Sequence, residues 1–195
     1  TLGYDKSYVA ELKIDGLKIV LNYDHGRLVT AATRGDGMVG EDVTANVRTI
    51  ESVPLSLDNN DLSVVVEGEI WLGHSDLAAL NKERQKHGEP LLANPRNAAA
   101  GAIRQLDPRL AAARRLQCFV YDLAAANFAL PDSQFEELKK LQELGFKVNR
   151  HFARCATIDE VIVYWRHWQD KAAAEDYKVD GIVVKVNDRV DQEKL

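Results

Sequence analysis

Apolar positions alternate with mixed ones from Leu17 to Tyr23, His25-Gly26 supplies a turn, and the strand pattern resumes from Arg27 to Arg34. A two-residue period on both sides of a glycine turn predicts an antiparallel hairpin. The same period runs just upstream, through Glu11-Leu12-Lys13-Ile14-Asp15-Gly16. In a strand this puts Glu11, Lys13 and Asp15 on one face and Leu12 and Ile14 on the other. Glycines 35, 37 and 40 end the pattern, and Asp42 starts a short helix with Val43, Val47 and Ile50 on one face. Leu62 to Leu72 reads as a buried strand.

Helical signals follow. Ser75 caps a helix ending near Gly88, and Asn94-Pro95 and Asp107-Pro108 each set a capping side chain before a proline at the first helical position. Leu116 to Leu123 is a strand carrying Tyr121. Ser133-x-x-Glu136 and Thr157-x-x-Glu160 are capping boxes for two more helices, the first closed by Gly145. Tyr177 to Asn187 returns to strand. Antiparallel hairpins mixed with helices indicate an α+β domain. There is no internal repeat, low-complexity tract or linker, and 195 residues is a one-domain length.

A net charge of −5 argues against a chain built mainly to neutralise a nucleic-acid backbone. A local basic stripe remains open: Arg104, Arg109, Arg114 and Arg115 fall in one helical stretch, with His151 and Arg154 later. They read as solvated helix faces, or in part as a DNA path. No apolar run approaches a membrane span and no secretory pattern opens the chain, so a cytoplasmic location without a membrane partner is expected. Cys118 and Cys155 form no metal-ligand pair and read as reduced thiols.

The candidate chemistry starts at Lys13. A lysine along the wall of a site becomes a nucleophile if its proton is removed; desolvation and nearby cations favour that, and flanking carboxylates oppose it. Gly16 permits a sharp exit or the close approach of a ligand. By itself the motif describes a strand ending in a turn with a surface ion pair better than it describes a nucleophile. Val183 and Lys185 share a strand face, and a lysine among valines suggests a lined pocket or a strand-edge solubility residue. Glu69 ends an apolar strand, where a carboxylate is costly unless satisfied. Arg96 and Arg104 lie eight apart, so one helix could present both to one side, as ligand contacts or as a solvated face.

Further blocks accompany the lysine motif: Thr33-Arg34-Gly35-Asp36-Gly37, Gly40-Glu41-Asp42-Val43-Thr44, Glu67-Gly68-Glu69, Asn94-Pro95-Arg96-Asn97, Arg104-Gln105-Leu106-Asp107-Pro108 and Asp180-Gly181-Ile182-Val183-Val184-Lys185. In this order, over nearly all of the chain, they resemble the adenylation (nucleotidyltransferase) domain of the bacterial NAD-dependent DNA ligases. The lysine motif is shared with ATP-dependent ligases and mRNA-capping enzymes; the Arg-Gly-Asp-Gly and Asn-Pro-Arg-Asn blocks are more specific. The resemblance implies the ATP-grasp-like nucleotidyltransferase fold of ligases and capping enzymes, with antiparallel sheets flanked by helices.

It also implies a chemistry. Lys13 would attack the α-phosphorus of NAD, giving a lysine–AMP phosphoramidate and expelling nicotinamide mononucleotide. Lys185, on a facing strand, would depress the pKa of Lys13 and later hold the phosphate. Glu11 matches a residue contacting adenine, Tyr121 an aromatic stacking on it (or plain core packing), and Glu69 a residue binding the ribose or the site's amines. Arg34, Arg96 and Arg104 match arginines near the nucleotide and its phosphates. Leu12, Ile14, Gly181 and Val183 would line the nucleotide pocket. Asp15 and Asp180 would orient lysines or hold a divalent ion through water, favouring magnesium, with no direct metal ligands assigned.

The chain departs from the family pattern in three ways. Glu67 stands where an arginine is frequent and receives no role. Lys171-Ala172-Ala173-Ala174-Glu175 replaces a usual arginine and Leu-Pro pair. Residues 1–195 are also expected to be an adenylation domain truncated at both ends, without the segment recognising the nicotinamide half or the later modules, among them a zinc-binding one. The expected function is the adenylation core of an NAD-dependent DNA ligase, monomeric, binding NAD or AMP and, at full length, nicked double-stranded DNA. The alternatives are an ATP-using nucleotidyltransferase and a non-catalytic nucleotide-binding module.

Overall fold

Seven strands and seven α-helices are arranged around two antiparallel sheets in the computed structural model, which describes residues 6–35 and 40–195. The hairpin forms as predicted from β2 (Leu17–Asp24) and β3 (Arg27–Thr33). His25 and Gly26 between them both take positive φ, 47° and 68°, the turn whose twist matches that of the strands. β2 pairs on its other side with β4 (Val64–Trp71), which pairs with β5 (Gln117–Ala126), giving the sheet order β3-β2-β4-β5. The lysine strand β1 (Tyr8–Ile14) belongs to the second sheet. It lies between β6 (Ala153–Cys155) and β7 (Val179–Val186).

Alternation along β1 sorts its side chains between two layers. Val9 is fully buried in the main core with Ile19, Leu21, Val66 and Ile70 of the four-stranded sheet. Ala10 and Leu12 point the other way and pack with Val161 and Trp168 of α6 (Ile158–Lys171). The three-stranded sheet is therefore covered on one face by α6 and meets the larger sheet on the other. At 25 cal/mol per Å², burying each large aliphatic contributes roughly 2 kcal/mol. That is enough to fix the register that places Lys13.

The remaining helices, in chain order, are α1 (Thr44–Val47), α2 (His74–Lys86), α3 (Pro95–Ile103), α4 (Pro108–Ala112), α5 (Gln134–Glu143) and, near the end, α7 (Arg189–Gln192). Val43, Val47 and Ile50 are buried as their spacing predicts. Helix α1 starts two residues after Asp42, whose carboxylate accepts from the Thr44 N–H at 2.9 Å. Asn94 and Asp107 cap α3 and α4 through the Arg96 and Arg109 amides, and Ser133 and Thr157 cap α5 and α6. Both cysteines are buried free thiols.

Two expectations are corrected. Ser75 does not cap α2, because it lies inside the helix after Gly73. The cap is supplied from far along the chain: Asp176 accepts from the Ser75 N–H at 2.9 Å and its hydroxyl at 2.8 Å. Asp176→Ala should therefore cost about 1 kcal/mol, read as a melting temperature lower by roughly 3 °C; Ser75→Ala, which keeps the amide bond, should cost less. The four arginines do not share one helix either. Arg104 ends α3, and Arg115, at φ 53°, lies beyond α4.

Candidate active site

A cavity of about 350 Å³ opens between the two sheets. β1 contributes Glu11 and Lys13, spaced two apart and on one face as the alternation predicts. β7 contributes Val183 and Lys185. Lys185 lies on the neighbouring strand of the same sheet, not on a facing one. In the antiparallel register Val9 is opposite Lys185, Glu11 opposite Val183 and Lys13 opposite Gly181, so directly paired side chains share the cavity face. Gly181 leaves no side chain beside Lys13. Glu69 of β4 and Tyr121 of β5 close the opposite wall, and Arg34 and Arg96 border it.

The charged groups are tightly apportioned. Lys13 Nζ donates to Asp180 at 3.2 Å and its side chain is half exposed. Asp15 is 5% exposed and held from two sides, by Lys178 at 2.8 Å and Arg96 at 3.6 Å. Lys185 donates to the Tyr121 carbonyl at 3.3 Å, lies 3.5 Å from Asp122 and 3.7 Å from Glu11, and sits over the Tyr121 ring. Burial pushes the Glu69 carboxyl up to about 7, against the pull of Arg96, Lys13 and the Gly16 N–H. Burial also pushes Glu11 up to about 7, with Lys185 opposing it and Asp122 reinforcing it. One Glu11 oxygen, Oε1, is buried with no hydrogen-bond partner.

The family model of the NAD-dependent DNA ligase adenylation domain matches residues 2–195. The chain belongs to that family. A DNA ligase of Bacillus cereus (strain B4264) is 48% identical over 193 residues, which cover 99% of this chain and 29% of the relative. A DNA ligase of Bacillus anthracis is 49% identical over 188 residues, covering 96% and 28%. The chain thus spans less than a third of the length of these relatives. Among solved structures, the ligase domain of M. tuberculosis LigD superposes with a TM-score of 0.54 at 18% identity, covering 96% of this chain and 53% of that one. A mycobacterial DNA ligase D complexed with ATP and MES gives 0.53 at 17% identity, covering 96% and 52%. The α+β nucleotidyltransferase fold expected from the sequence is the fold found.

Within this adenylation domain, most of the expected site residues come together. Glu11, Leu12, Lys13, Ile14, Arg34, Glu69, Arg96, Tyr121, Val183 and Lys185 all line the one cavity. Asp15, Asp180 and Gly181 do not line it: the two aspartates pair with its cations Arg96 and Lys13, while Asp180 and Gly181 border a separate cavity with Trp165 and Trp168. Arg104 is not brought in: it sits at the C-terminal end of α3 and pairs with Glu41 at 2.7 Å. Asp36 and Gly37 of the Arg-Gly-Asp-Gly block lie outside the described residues.

Sequence reasoning missed Lys18, which lines the cavity from β2 and is ion-paired to Glu67. That pairing gives Glu67 the role it lacked. The available signal was register, since Lys18 is directly opposite Glu69. Five cations (Lys13, Lys18, Arg34, Arg96 and Lys185) therefore face two carboxylates, Glu11 and Glu69. Four of these cations are also paired with carboxylates outside the lining (Lys13 with Asp180, Lys18 with Glu67, Arg96 with Asp15 and Lys185 with Asp122), so an anionic ligand would exchange for existing ion pairs.

The raised carboxyls make stability depend on pH with a definite sign. A group titrating near 7 when folded and near 4.5 when unfolded binds more protons in the folded state between those values. Stability is therefore highest below about pH 4.5 as far as these groups are concerned, and falls as pH rises through 7. The slope is at most about 1.4 kcal/mol per pH unit for each group. Urea denaturation at pH 5.5 and 7.5 should show the ligand-free domain weakening, and Glu69→Gln should shrink the difference. An unchanged difference in that variant would remove Glu69 as a cause.

Proposed function

We propose that this cavity binds the adenosine half of NAD and that Lys13 becomes covalently adenylated, as the first step by which the full-length enzyme seals nicks in double-stranded DNA. The observation carrying this reading is the placement of Lys13: a half-exposed amine at the cavity wall, 3.2 Å from a carboxylate, among four further cations. Adenine would lie against Tyr121, with the Glu11 carboxylate accepting from its exocyclic amine. Glu69 would hold the ribose hydroxyls. Arg96, Lys18 and Lys185 would take the phosphate oxygens, whose charge grows in the transition state.

The step balances on these residues. Lys13, whose side chain is half exposed, releases its proton to solvent, helped by the neighbouring cations and opposed by Asp180, and its lone pair forms the N–P bond. The P–O bond to the nicotinamide mononucleotide phosphate breaks, and the electron pair leaves with that oxygen. Asp15 stays out of the chemistry and keeps Lys178 and Arg96 in place. Magnesium was expected at Asp15 and Asp180, but both are already engaged by cations. Among the described residues no three His, Cys, Asp or Glu side chains gather where a metal ion could be held. No step is routed through one. A monomeric, cytoplasmic protein completes the reading; among the described residues no helix is long and apolar enough to cross a membrane.

Intact-protein mass after incubation with NAD, and separately with ATP, tests this. AMP added from NAD and mapped to Lys13 is the expected result in the full-length enzyme. Addition from ATP alone would favour an ATP-using transferase. Tight AMP binding without any adduct from either donor would favour a non-catalytic module.

A further inference from the structure

Strand β7 carries one extra residue opposite the end of β1. Lys13 pairs with Gly181 but Ile14 pairs with Val179, so Asp180 has no partner across the ladder. An inserted residue of this kind re-aims its side chain, and Asp180 accepts from Lys13 Nζ at 3.2 Å. The insertion also advances the register by one. Lys178 then lies against Asp15 in place of Val179, and the Asp15 N–H donates to the Lys178 carbonyl at 2.9 Å. The Lys178 ammonium follows its backbone: it pairs with Asp15 at 2.8 Å and lies 4.0 Å from the Asp180 carboxylate.

Three cations (Lys13, Lys178 and Arg96) thus share two carboxylates, Asp15 and Asp180. The group carries one net positive charge while Lys13 is an ammonium, and none once Lys13 is neutral. Without Lys178 the balance reverses: no net charge with the ammonium, one net negative charge without it. The carboxylates would then hold the Lys13 proton more firmly. Burial sharpens the effect at Asp15, 5% exposed, where an uncompensated charge is costly. Glu69, Lys18 and Arg34 also face Lys13 across the cavity, with Glu11 and Lys185 farther along the sheet. Their charges are the same with or without Lys178.

We propose that Lys178 is a positioning residue for adenylation, offsetting the charge of Asp15 and Asp180 so that Lys13 can reach its neutral, nucleophilic form. This rests on the reading of Lys13 as the nucleophile. Lys178 itself stays charged while Lys13 reacts, because its hydrogen bond to Asp15 pushes its pKa above the ordinary lysine value. It acts on where the Lys13 proton is held and takes no part in the bond that forms.

Two pH profiles test this, with melting temperatures recorded alongside. One is the single-turnover rate of AMP transfer in the full-length enzyme at saturating NAD. The other is the acetylation of Lys13 by acetic anhydride on this chain, read by peptide mass. Lys178→Gln can still donate to Asp15 but carries no charge. It should move both midpoints up by about half a pH unit or more, a rate roughly threefold lower below the midpoint. The plateau at high pH and the apparent KM for NAD should not change, and Lys178→Arg should keep the wild-type midpoints. An unchanged midpoint in either profile of Lys178→Gln, or a rate lowered by the same factor at every pH, overturns the proposal while Lys13 remains the nucleophile. Wild-type enzyme that places no AMP on Lys13 overturns the nucleophile reading and this inference together.

Discussion

Lys13→Arg should abolish covalent AMP transfer while leaving the fold and nucleoside binding in place. Arginine keeps the positive charge and can keep the pairing with Asp180 that lysine makes at 3.2 Å. The side chain is half exposed, so the change in stability should stay within about 0.5 kcal/mol. A guanidinium does not give up its proton, however, and so offers no lone pair to phosphorus. Loss of a nucleophile of this kind reduces turnover by more than about 10⁴-fold. Adduct formation by mass spectrometry, AMP affinity and melting temperature on one preparation separate these effects. AMP found on Lys185, or any adduct on Lys13→Arg protein, would take the nucleophile's role away from Lys13.

That experiment probes a residue whose setting was readable from the sequence, and the reasons are local. Alternation through Glu11, Lys13 and Asp15 fixes a face without reference to the rest of the fold, as Asn94 and Asp107 fix helix starts within two residues. What was not readable depends on partners distant in the chain. The cap on α2 comes from Asp176, 101 residues from Ser75. Arg104 is eight residues from Arg96, but α3 ends at Ile103, so the second arginine turns toward Glu41. Lys18 was missed because its place at the cavity is set by the pairing of β2 with β4, opposite Glu69, and not by any spacing within its own strand. β6, at three residues, is too short to display a period.

Gly16→Ala should be the most damaging single-methyl change in the site, because the chain crosses from one sheet to the other there with no space to spare. A Cβ at this position would lie 2.3 Å from the Ile70 carbonyl oxygen and 2.8 Å from Glu69 Cγ. The oxygen is backbone, and Ile70 is fully buried in the strand that pairs with Leu17, so it cannot move aside cheaply. Overpacking of this kind costs about 3 kcal/mol, or a fall in melting temperature of roughly 6–12 °C. The same displacement breaks the Gly16 N–H bond to the Glu69 carboxylate and moves the end of the strand carrying Lys13. AMP affinity should therefore fall along with stability. Gly101→Ala is the matched control: it lies inside α3, where an added Cβ meets nothing within 4 Å. It should raise stability by roughly 0.5–1 kcal/mol, since glycine costs that much in a helix interior. If Gly16→Ala melted within 1 °C of wild type and bound AMP equally well, the close packing of the lysine strand's exit against β4 would not be what holds the site in shape.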